Sequence, residues 1–87
     1  AKMKLHLRFF ASIRESLGLA HEDIDLPENV KTIDDLRTHL IARGHPWAET
    51  LAKDKVLRCA LNQQMVSVET ALIDGAEVAF FPPVTGG

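Results

Sequence analysis

The sequence Glu77-Val78-Ala79-Phe80-Phe81-Pro82-Pro83-Val84-Thr85-Gly86-Gly87 decides the fold, because it combines a strand, a stop and a tail. Val78 and Phe80 fall on one face of the run and alternate with the residues of the other face, which is the period of a β-strand. Pro82 and Pro83 end that strand, since proline lacks the N–H that a sheet requires and favours extended backbone. We therefore expect a folded domain over residues 1–81 and an extended tail over residues 82–87.

The predicted tail has a chemistry of its own. It extends roughly 15–20 Å beyond Phe81 if its backbone is extended. Gly86 and Gly87 have no Cβ atom, so they can enter a slot too narrow for any other residue. The Gly87 carboxylate lies at the tip, and such an arm is suited to deliver it into the active site of another protein. The alternative is an ordinary frayed terminus or a cloning remnant, although such ends are seldom as apolar as this one.

Residues 4–10 alternate between apolar and polar side chains, and the apolar members are Leu5, Leu7 and Phe9. This is the period of a half-buried strand. Phe10 breaks the alternation, because it places an aromatic ring on the polar side. Residues 22–26 predict a second strand, which pairs with the first as a wide hairpin.

Two helices are predicted from their capping residues. Ser12 is the expected N-cap of a short helix over residues 13–17, and Glu15 completes a capping box. Thr32 opens the main helix, because Asp35 follows at the same spacing and adds negative charge near the positive helix end. The apolar stripe of the main helix is Ile33, Leu36, Leu40 and Ile41. The glycines expected to end the two helices are Gly18 and Gly44.

The second half of the chain predicts one further helical turn and three strands. Residues 46–51 place Trp47 and Leu51 on one helical face. The strands are expected over residues 56–61, 65–68 and 77–81. The turns between them are expected at Asn62-Gln63-Gln64 and Asp74-Gly75.

This order of elements favours the α+β class, as a ubiquitin-like β-grasp roll. We expect a mixed sheet of about five strands with one main helix packed on one face, and with the first and last strands parallel at its centre. Phe10 and Phe81 then meet on the open face at the root of the tail, and Met65 extends the same apolar surface. An exposed apolar surface beside an extended arm is typical of a partner-binding site. The alternative is a small second core covered by the loop around Trp47.

Size and composition restrict the function further. At 87 residues the chain has room for one domain. Its net charge of −2, with no basic run, predicts no nucleic-acid partner. The apolar runs are too short to span a membrane and no signal peptide precedes the first strand, so we expect no membrane association. A lone cysteine, Cys59, rules out an internal disulfide and favours a reducing, cytoplasmic location.

Several other candidate residues are set aside. Cys59 is a conceivable sulfur carrier, but a cysteine within a strand usually behaves as a small hydrophobe. Asp34 and Asp35 stand at a helix start, which indicates capping charges rather than an acid–base pair. The histidines lie on different elements with no metal-site spacing, and they are His6, His21, His39 and His45. With no nucleophile–base pair and no phosphate-cradling glycine loop, we expect no autonomous enzyme.

The chain resembles a known family, the sulfur-carrier small subunit of molybdopterin synthase, over nearly its whole length. The matching segments are Phe9-Phe10-Ala11, Arg14-Glu15, Gly18, Ala60-Leu61-Asn62-Gln63, Leu72, Asp74-Gly75, and the final strand with its proline pair, Val84 and the Gly-Gly end. The final segment is the specific part, because other ubiquitin-like carriers also end in Gly-Gly. Ala76 departs from the family, which commonly places an acidic residue there, and we expect this to weaken only a local turn contact.

The resemblance implies a sulfur carrier for molybdenum-cofactor biosynthesis rather than a catalyst by itself. In the family, an ATP-dependent activating enzyme adenylates the terminal carboxylate, here that of Gly87, and a sulfur donor converts the adenylate to a thiocarboxylate. The thiocarboxylate sulfur is a good nucleophile that needs no side chain to activate it. In the large catalytic subunit it attacks cyclic pyranopterin monophosphate to build the molybdopterin dithiolene. ATP belongs to the activating enzyme, and the resemblance implies no cofactor or metal bound by this chain.

The same resemblance assigns roles to two further groups of residues. The inserting tail is Pro82, Pro83, Val84, Thr85 and Gly86. The residues that dock on the large subunit are Phe10, Met65 and Phe81. The family's synthase is typically a heterotetramer, with two small subunits at the ends of a large-subunit dimer.

The sequence leaves other functions open. One is a sister sulfur carrier for thiamin synthesis or transfer-RNA thiolation, against which the apolar run before the tail and the fuller length argue. Another is a ubiquitin-like modifier whose Gly87 is joined to lysines. A third is a plain β-grasp binding module, which would tolerate a residue added after Gly87, whereas a carrier would lose activity.

Overall fold

The computed structural model describes residues 3–83. Within that range the elements follow in the order β1 (Met3–Phe9), α1 (Ala11–Leu17), β2 (His21–Leu26), α2 (Ile33–Ile41), α3 (Trp47–Thr50), β3 (Arg58–Leu61), β4 (Gln64–Val66) and β5 (Glu77–Phe81). No helix within residues 3–83 has the length and apolar character needed to cross a membrane.

The five strands of residues 3–83 form one mixed sheet in the order β2-β1-β5-β3-β4. Strands β1 and β5 run parallel at its centre, with Phe9 opposite Phe80, and the other neighbours are antiparallel. The predicted hairpin of the first two strands and the predicted central pair are both confirmed. The long connection from β2 through α2 to β3 supplies the crossover that parallel neighbours require.

The core lies between this sheet and helix α2. The β1 side chains predicted to face it, Leu5, Leu7 and Phe9, are at most 1% exposed. Helix α2 contributes Ile33, Leu36 and Leu40 to the core, and all three are fully buried. Ile41, at the end of the predicted stripe, is half-buried. Burying each large apolar side chain contributes about 1.5–3 kcal/mol, which holds a nine-residue helix that would not be stable alone.

Helix α2 begins with the predicted capping box. The Thr32 hydroxyl accepts a hydrogen bond from the Asp35 N–H at 3.1 Å, and the Asp35 carboxylate accepts from the Thr32 N–H at 3.2 Å. Two carbonyls from the segment after β4 satisfy further N–H groups of the first turn, because Ile33 donates to Thr70 at 3.1 Å and Asp34 donates to Val68 at 2.8 Å. The helix start is therefore fixed by its own sequence and by the opposite half of the chain.

The predicted start of the short helix is wrong. Helix α1 begins at Ala11, and its N-cap is Phe10 rather than Ser12. The Phe10 carbonyl accepts the N–H groups of Ile13 and Arg14 at 3.2 and 3.3 Å, so the first turn begins two residues earlier than a Ser12 cap would place it. Its end at Gly18 is as predicted, with a left-handed φ of 75°.

Two strands are shorter than predicted. Strand β3 begins at Arg58 rather than at residue 56, and β4 ends at Val66 rather than at residue 68. Strand β4 ends before Val68 because the Val68 carbonyl accepts a hydrogen bond from the Asp34 N–H at the start of helix α2. Between β3 and β4 the turn is Asn62 and Gln63 alone, both at positive φ, so Gln64 belongs to the strand. Such a two-residue turn matches the twist of a hairpin.

Candidate functional site

Two aromatic rings meet where the central strands end. Phe10 directly follows β1 and Phe81 closes β5, and their ring centroids lie 6.4 Å apart in an edge-to-face arrangement. Phe9 and Phe80, one residue earlier, point into the core, so Phe10 and Phe81 lie on the opposite, open face. The expected contact between the two rings is confirmed, and Phe10 remains 42% exposed.

Met65 extends this surface on strand β4. Its side chain is 62% exposed, and it lies opposite Ala60, which in turn lies opposite Ala79 of β5. The two alanines form a shallow apolar floor between the aromatic pair and the methionine. We call Phe10, Met65 and Phe81 the docking patch, and their role in binding stays a prediction.

The loop around Trp47 does not cover the docking patch. The Trp47 ring packs edge-on against Phe9 at 5.6 Å, which places it on the helical side of the sheet. The Arg43 guanidinium lies 4.5 Å above the same ring and pairs with Glu22. The second core considered from the sequence is therefore contradicted, because Trp47 belongs to the main core.

Two arginines flank the docking patch. The Arg8 guanidinium lies 5.8 Å from the centre of the Phe10 ring and 3.7 Å from the Glu77 carboxylate. Arg58 lies directly opposite Phe81 in the sheet and is exposed. Sequence reasoning put Arg8 on the outer face but gave neither arginine a role, since only the pairing of β3 with β5 brings Arg58 beside Phe81.

The predicted tail begins at the docking patch. Pro82 and Pro83 are half-buried and follow Phe81 directly. The remaining predicted tail residues, Val84, Thr85, Gly86 and Gly87, lie outside the described residues. The aromatic pair nonetheless lies where the predicted tail begins, because Phe81 directly precedes Pro82 and Pro83.

Cys59 is a buried side chain rather than an exposed nucleophile. It is 4% exposed, and its Sγ donates to the Val66 carbonyl at 3.3 Å. Burial raises the pKa of the thiol, which lowers the population of the reactive thiolate. These features fit the interpretation of Cys59 as a small hydrophobe.

Two of the four histidines and both helix-start aspartates have polar partners within residues 3–83. His6 pairs with Asp23 at 2.7 Å, and this hydrogen bond lowers the pKa of the aspartate. His45 pairs with Glu49 on helix α3. Asp34 forms an ion pair with Lys53 at 2.6 Å, while its neighbour is the capping residue described above. Over residues 3–83 the structure contains no group of three or more His, Cys, Asp or Glu side chains arranged to hold a metal ion.

Arg37 is a buried residue that sequence reasoning missed. Its side chain is 6% exposed and donates to three backbone carbonyls: Leu51 at 2.7 Å, Lys55 at 2.9 Å, and Ala52. These bonds fasten the connection that leads from α3 to β3. Its position offered a signal, because Arg37 falls within the buried stripe of α2 between Leu36 and Leu40.

Comparison with protein families gives one match that spans almost the whole chain. Residues 7–87 match the ThiS family. The molybdopterin synthase sulfur carrier subunit of Haemophilus influenzae is 43% identical over 83 residues, covering 95% of this chain and 99% of that protein. The subunit of the same name from Escherichia coli is 44% identical over 79 residues, covering 91% and 94%. Small archaeal modifier protein 3 of Haloferax volcanii is 33% identical and covers 98% of this chain and all of that protein.

Solved structures share the fold. The Haloferax volcanii HVO 2177 protein superposes with a TM-score of 0.78 at 31% identity, covering 99% of this chain and 88% of that one. A chain from the complex of subunits 1 and 2 of molybdopterin-converting factor from Helicobacter pylori superposes with a TM-score of 0.61 at 28% identity, covering 98% and 100%. The β-grasp roll predicted from the sequence is therefore confirmed.

Proposed function

The chain belongs to the ThiS family, and from that membership we propose that it is the sulfur-carrier subunit of a molybdopterin synthase. The two bacterial relatives above carry that name and match over at least 91% of this chain. The observation that carries the proposal is the aromatic pair of the docking patch at the root of a Gly-Gly tail. The aromatic pair provides a surface that can bind a partner, and the tail that follows it ends in the carboxylate that would carry the sulfur.

The chemistry belongs to the Gly87 carboxylate. A carboxylate is a poor electrophile, so its oxygen first attacks the α-phosphorus of ATP on an activating enzyme, and pyrophosphate leaves. Hydrosulfide (HS⁻) released by a sulfur donor then attacks the acyl carbon, AMP leaves with its bonding electrons, and the sulfur loses its proton to solvent. The product is a thiocarboxylate whose sulfur attacks the pyranopterin substrate in the large subunit.

The tail residues serve by shape. Gly86 and Gly87 lack side chains, so the large subunit can enclose them in a narrow channel. Pro82 and Pro83 restrict the backbone before insertion, which reduces the conformational entropy lost on binding. The proposal therefore needs no catalytic side chain on this chain.

The docking patch is proposed to bind the large catalytic subunit. The Helicobacter pylori neighbour comes from a complex of the two converting-factor subunits, which supports a partner of that kind here. An activating enzyme is the second proposed partner, and a heterotetramer of two small and two large subunits is the proposed assembly. The single, buried Cys59 fits a cytoplasmic site of action.

The modifier function is the second candidate. Its support is the similarity to an archaeal modifier protein at 33% identity. The two bacterial sulfur carriers are more similar, at 43% and 44%. The two functions differ in the product at Gly87, which is a thiocarboxylate in a carrier and an amide with a lysine in a modifier.

The test is the intact mass of the chain after incubation with a molybdopterin-synthase activating enzyme, ATP and a sulfur donor. We expect one oxygen to be replaced by sulfur on the peptide that carries Gly87. A chain with one alanine added after Gly87 is the control and should no longer transfer sulfur to the pterin. The absence of a mass change under conditions that load a known carrier would contradict the proposal. A mass change on the Cys59 peptide would show that the sulfur is carried by Cys59 and not by Gly87.

A further inference from the structure

The open face of the sheet is not uniformly charged. Near the docking patch its ionised side chains are Arg8 and Arg58, which lie beside Phe10 and opposite Phe81 respectively. The nearest carboxylate of the same face belongs to Glu77. Its backbone is four residues before Phe81, about 13 Å along an extended strand, but its carboxylate reaches within 3.7 Å of the Arg8 guanidinium.

Glu77 therefore offsets part of the charge of Arg8, whereas Asp23 lies opposite His6 in the sheet and binds that histidine at 2.7 Å. Arg58, by contrast, has no ion-pair partner among residues 3–83, although it is exposed. Because Glu77 partly offsets Arg8, it is mainly Arg58 that gives the docking patch a positive edge, on a chain whose net charge is −2.

We infer that Arg8 and Arg58 determine partner specificity at the docking patch, by selecting a protein whose apolar pocket is flanked by carboxylates. The inference rests on the proposed function, so the partner is the large catalytic subunit. A guanidinium suits this position because it forms two parallel hydrogen bonds with a carboxylate while its stem covers neighbouring apolar surface.

Screening explains why the local charge matters more than the net charge. At physiological ionic strength the Debye length is about 8 Å, so charges elsewhere on the chain contribute little at the patch. The partner must then carry both signs: acidic groups around the pocket for the arginines, and basic groups in the channel for the Gly87 carboxylate. This pattern fixes the direction in which the tail enters, because a reversed approach sets like charges against each other.

The experiment measures association of the full chain with the large catalytic subunit from the same organism, at low and at physiological ionic strength. The test variants are Arg58→Glu and Arg8→Gln, and Arg58→Lys keeps the charge. Lys31→Glu makes the same charge change beside Met3, at the opposite end of β1 from Phe10. Circular dichroism and thermal unfolding establish that each variant folds.

We expect Arg58→Glu to lower the association rate constant about tenfold at low salt, and this difference should shrink as salt is added. Arg8→Gln should act in the same direction, whereas Arg58→Lys and Lys31→Glu should associate at close to the wild-type rate. Equal rates for Arg58→Glu and Lys31→Glu would overturn the inference. So would self-association of Arg58→Glu with unchanged binding, because the arginines would then only keep the rings from pairing with another copy.

Different results would contradict the proposed function and the role of the two arginines. If the unsubstituted chain does not load sulfur and does not bind the large subunit, the proposed function is wrong and the inference falls with it. If the chain loads and binds but the arginine variants bind as well as Lys31→Glu, only the inference is wrong.

Discussion

Phe81 ends strand β5 and precedes Pro82, so its ring lies where the fold and the tail join. Replacing it by glutamate puts a carboxylate into the centre of the docking patch. We expect binding to the large subunit to weaken by more than about 30-fold, which corresponds to the loss of a buried aromatic anchor. The thermal midpoint should stay close to that of the wild type, because the Phe81 ring is only half-buried and its main ring contact is with Phe10.

The matched control for this prediction is Ile73→Glu. Ile73 is an exposed apolar residue, 55% exposed, in the loop before the Asp74-Gly75 turn, and it lies outside the docking patch. It should bind the large subunit normally. Isothermal titration calorimetry compares the two variants, and equal affinities would remove Phe81 from the docking surface.

Arg37 acts on the stability of the fold. Its guanidinium is buried and satisfies the carbonyls of Leu51, Ala52 and Lys55. Arg37→Met keeps most of the apolar stem but leaves these acceptors without their donor. We expect the free energy of unfolding to fall by about 3 kcal/mol, because buried carbonyls that lose a charged donor are costly.

Chemical denaturation measures this loss, with Arg14→Met as the control. Arg14 lies on the exposed face of α1, so its replacement should change the free energy of unfolding by less than about 0.5 kcal/mol. If both substitutions cost the same, the three carbonyl bonds do not hold the connection between α3 and β3.

At the scale of an element, helix α2 should make stability depend on pH through its capping box. The N–H groups of Lys31 and Thr32 donate to the Asp35 carboxylate and hold its pKa below the usual value. The unfolded chain therefore binds a proton more readily than the folded chain. The contribution of Asp35 is present above the unfolded pKa and is lost as pH falls through the lower folded pKa.

We expect Asp35→Ala to be less stable than the wild type at pH 7, and the difference to shrink below about pH 4. Urea unfolding at a series of pH values measures it. Thr32→Ala removes the non-titrating half of the box and should cost about 1 kcal/mol near neutral pH. A gap between Asp35→Ala and the wild type that stays constant down to pH 2 would contradict the capping role of the carboxylate.

Local patterns predicted β1 and the start of α2 but misplaced the start of α1, and the strand end that depends on a distant hydrogen bond was not predictable. The alternation of Leu5 and Leu7 identified β1, and the spacing of Thr32 and Asp35 identified the start of α2. The end of β4 depends on the Val68 carbonyl bonding to helix α2. Nothing within residues 65–68 carries that information.

The residues of the candidate site also differ in whether the local sequence revealed them. Phe10 was visible because it breaks the polar side of an alternating strand, and Phe81 because prolines follow it. The position of Arg58 beside the docking patch follows only from the strand register that sets it opposite Phe81. Arg37 drew no prediction, since the three carbonyls that it binds come from a later part of the chain.

At the scale of the whole molecule, the fold and the tail should be separable. All five strands, the three helices and the core of the described chain lie within residues 3–81. A chain that ends at Pro83 should therefore unfold at the same temperature as the full chain, but it cannot form a thiocarboxylate at Gly87.

The truncated chain keeps the docking patch, so we expect it to compete with the full chain for the large subunit and to inhibit sulfur transfer. The same truncation carrying Phe81→Glu should not inhibit. A lower unfolding temperature would show that residues 84–87 stabilise the fold, and a lack of competition would show that docking requires the tail.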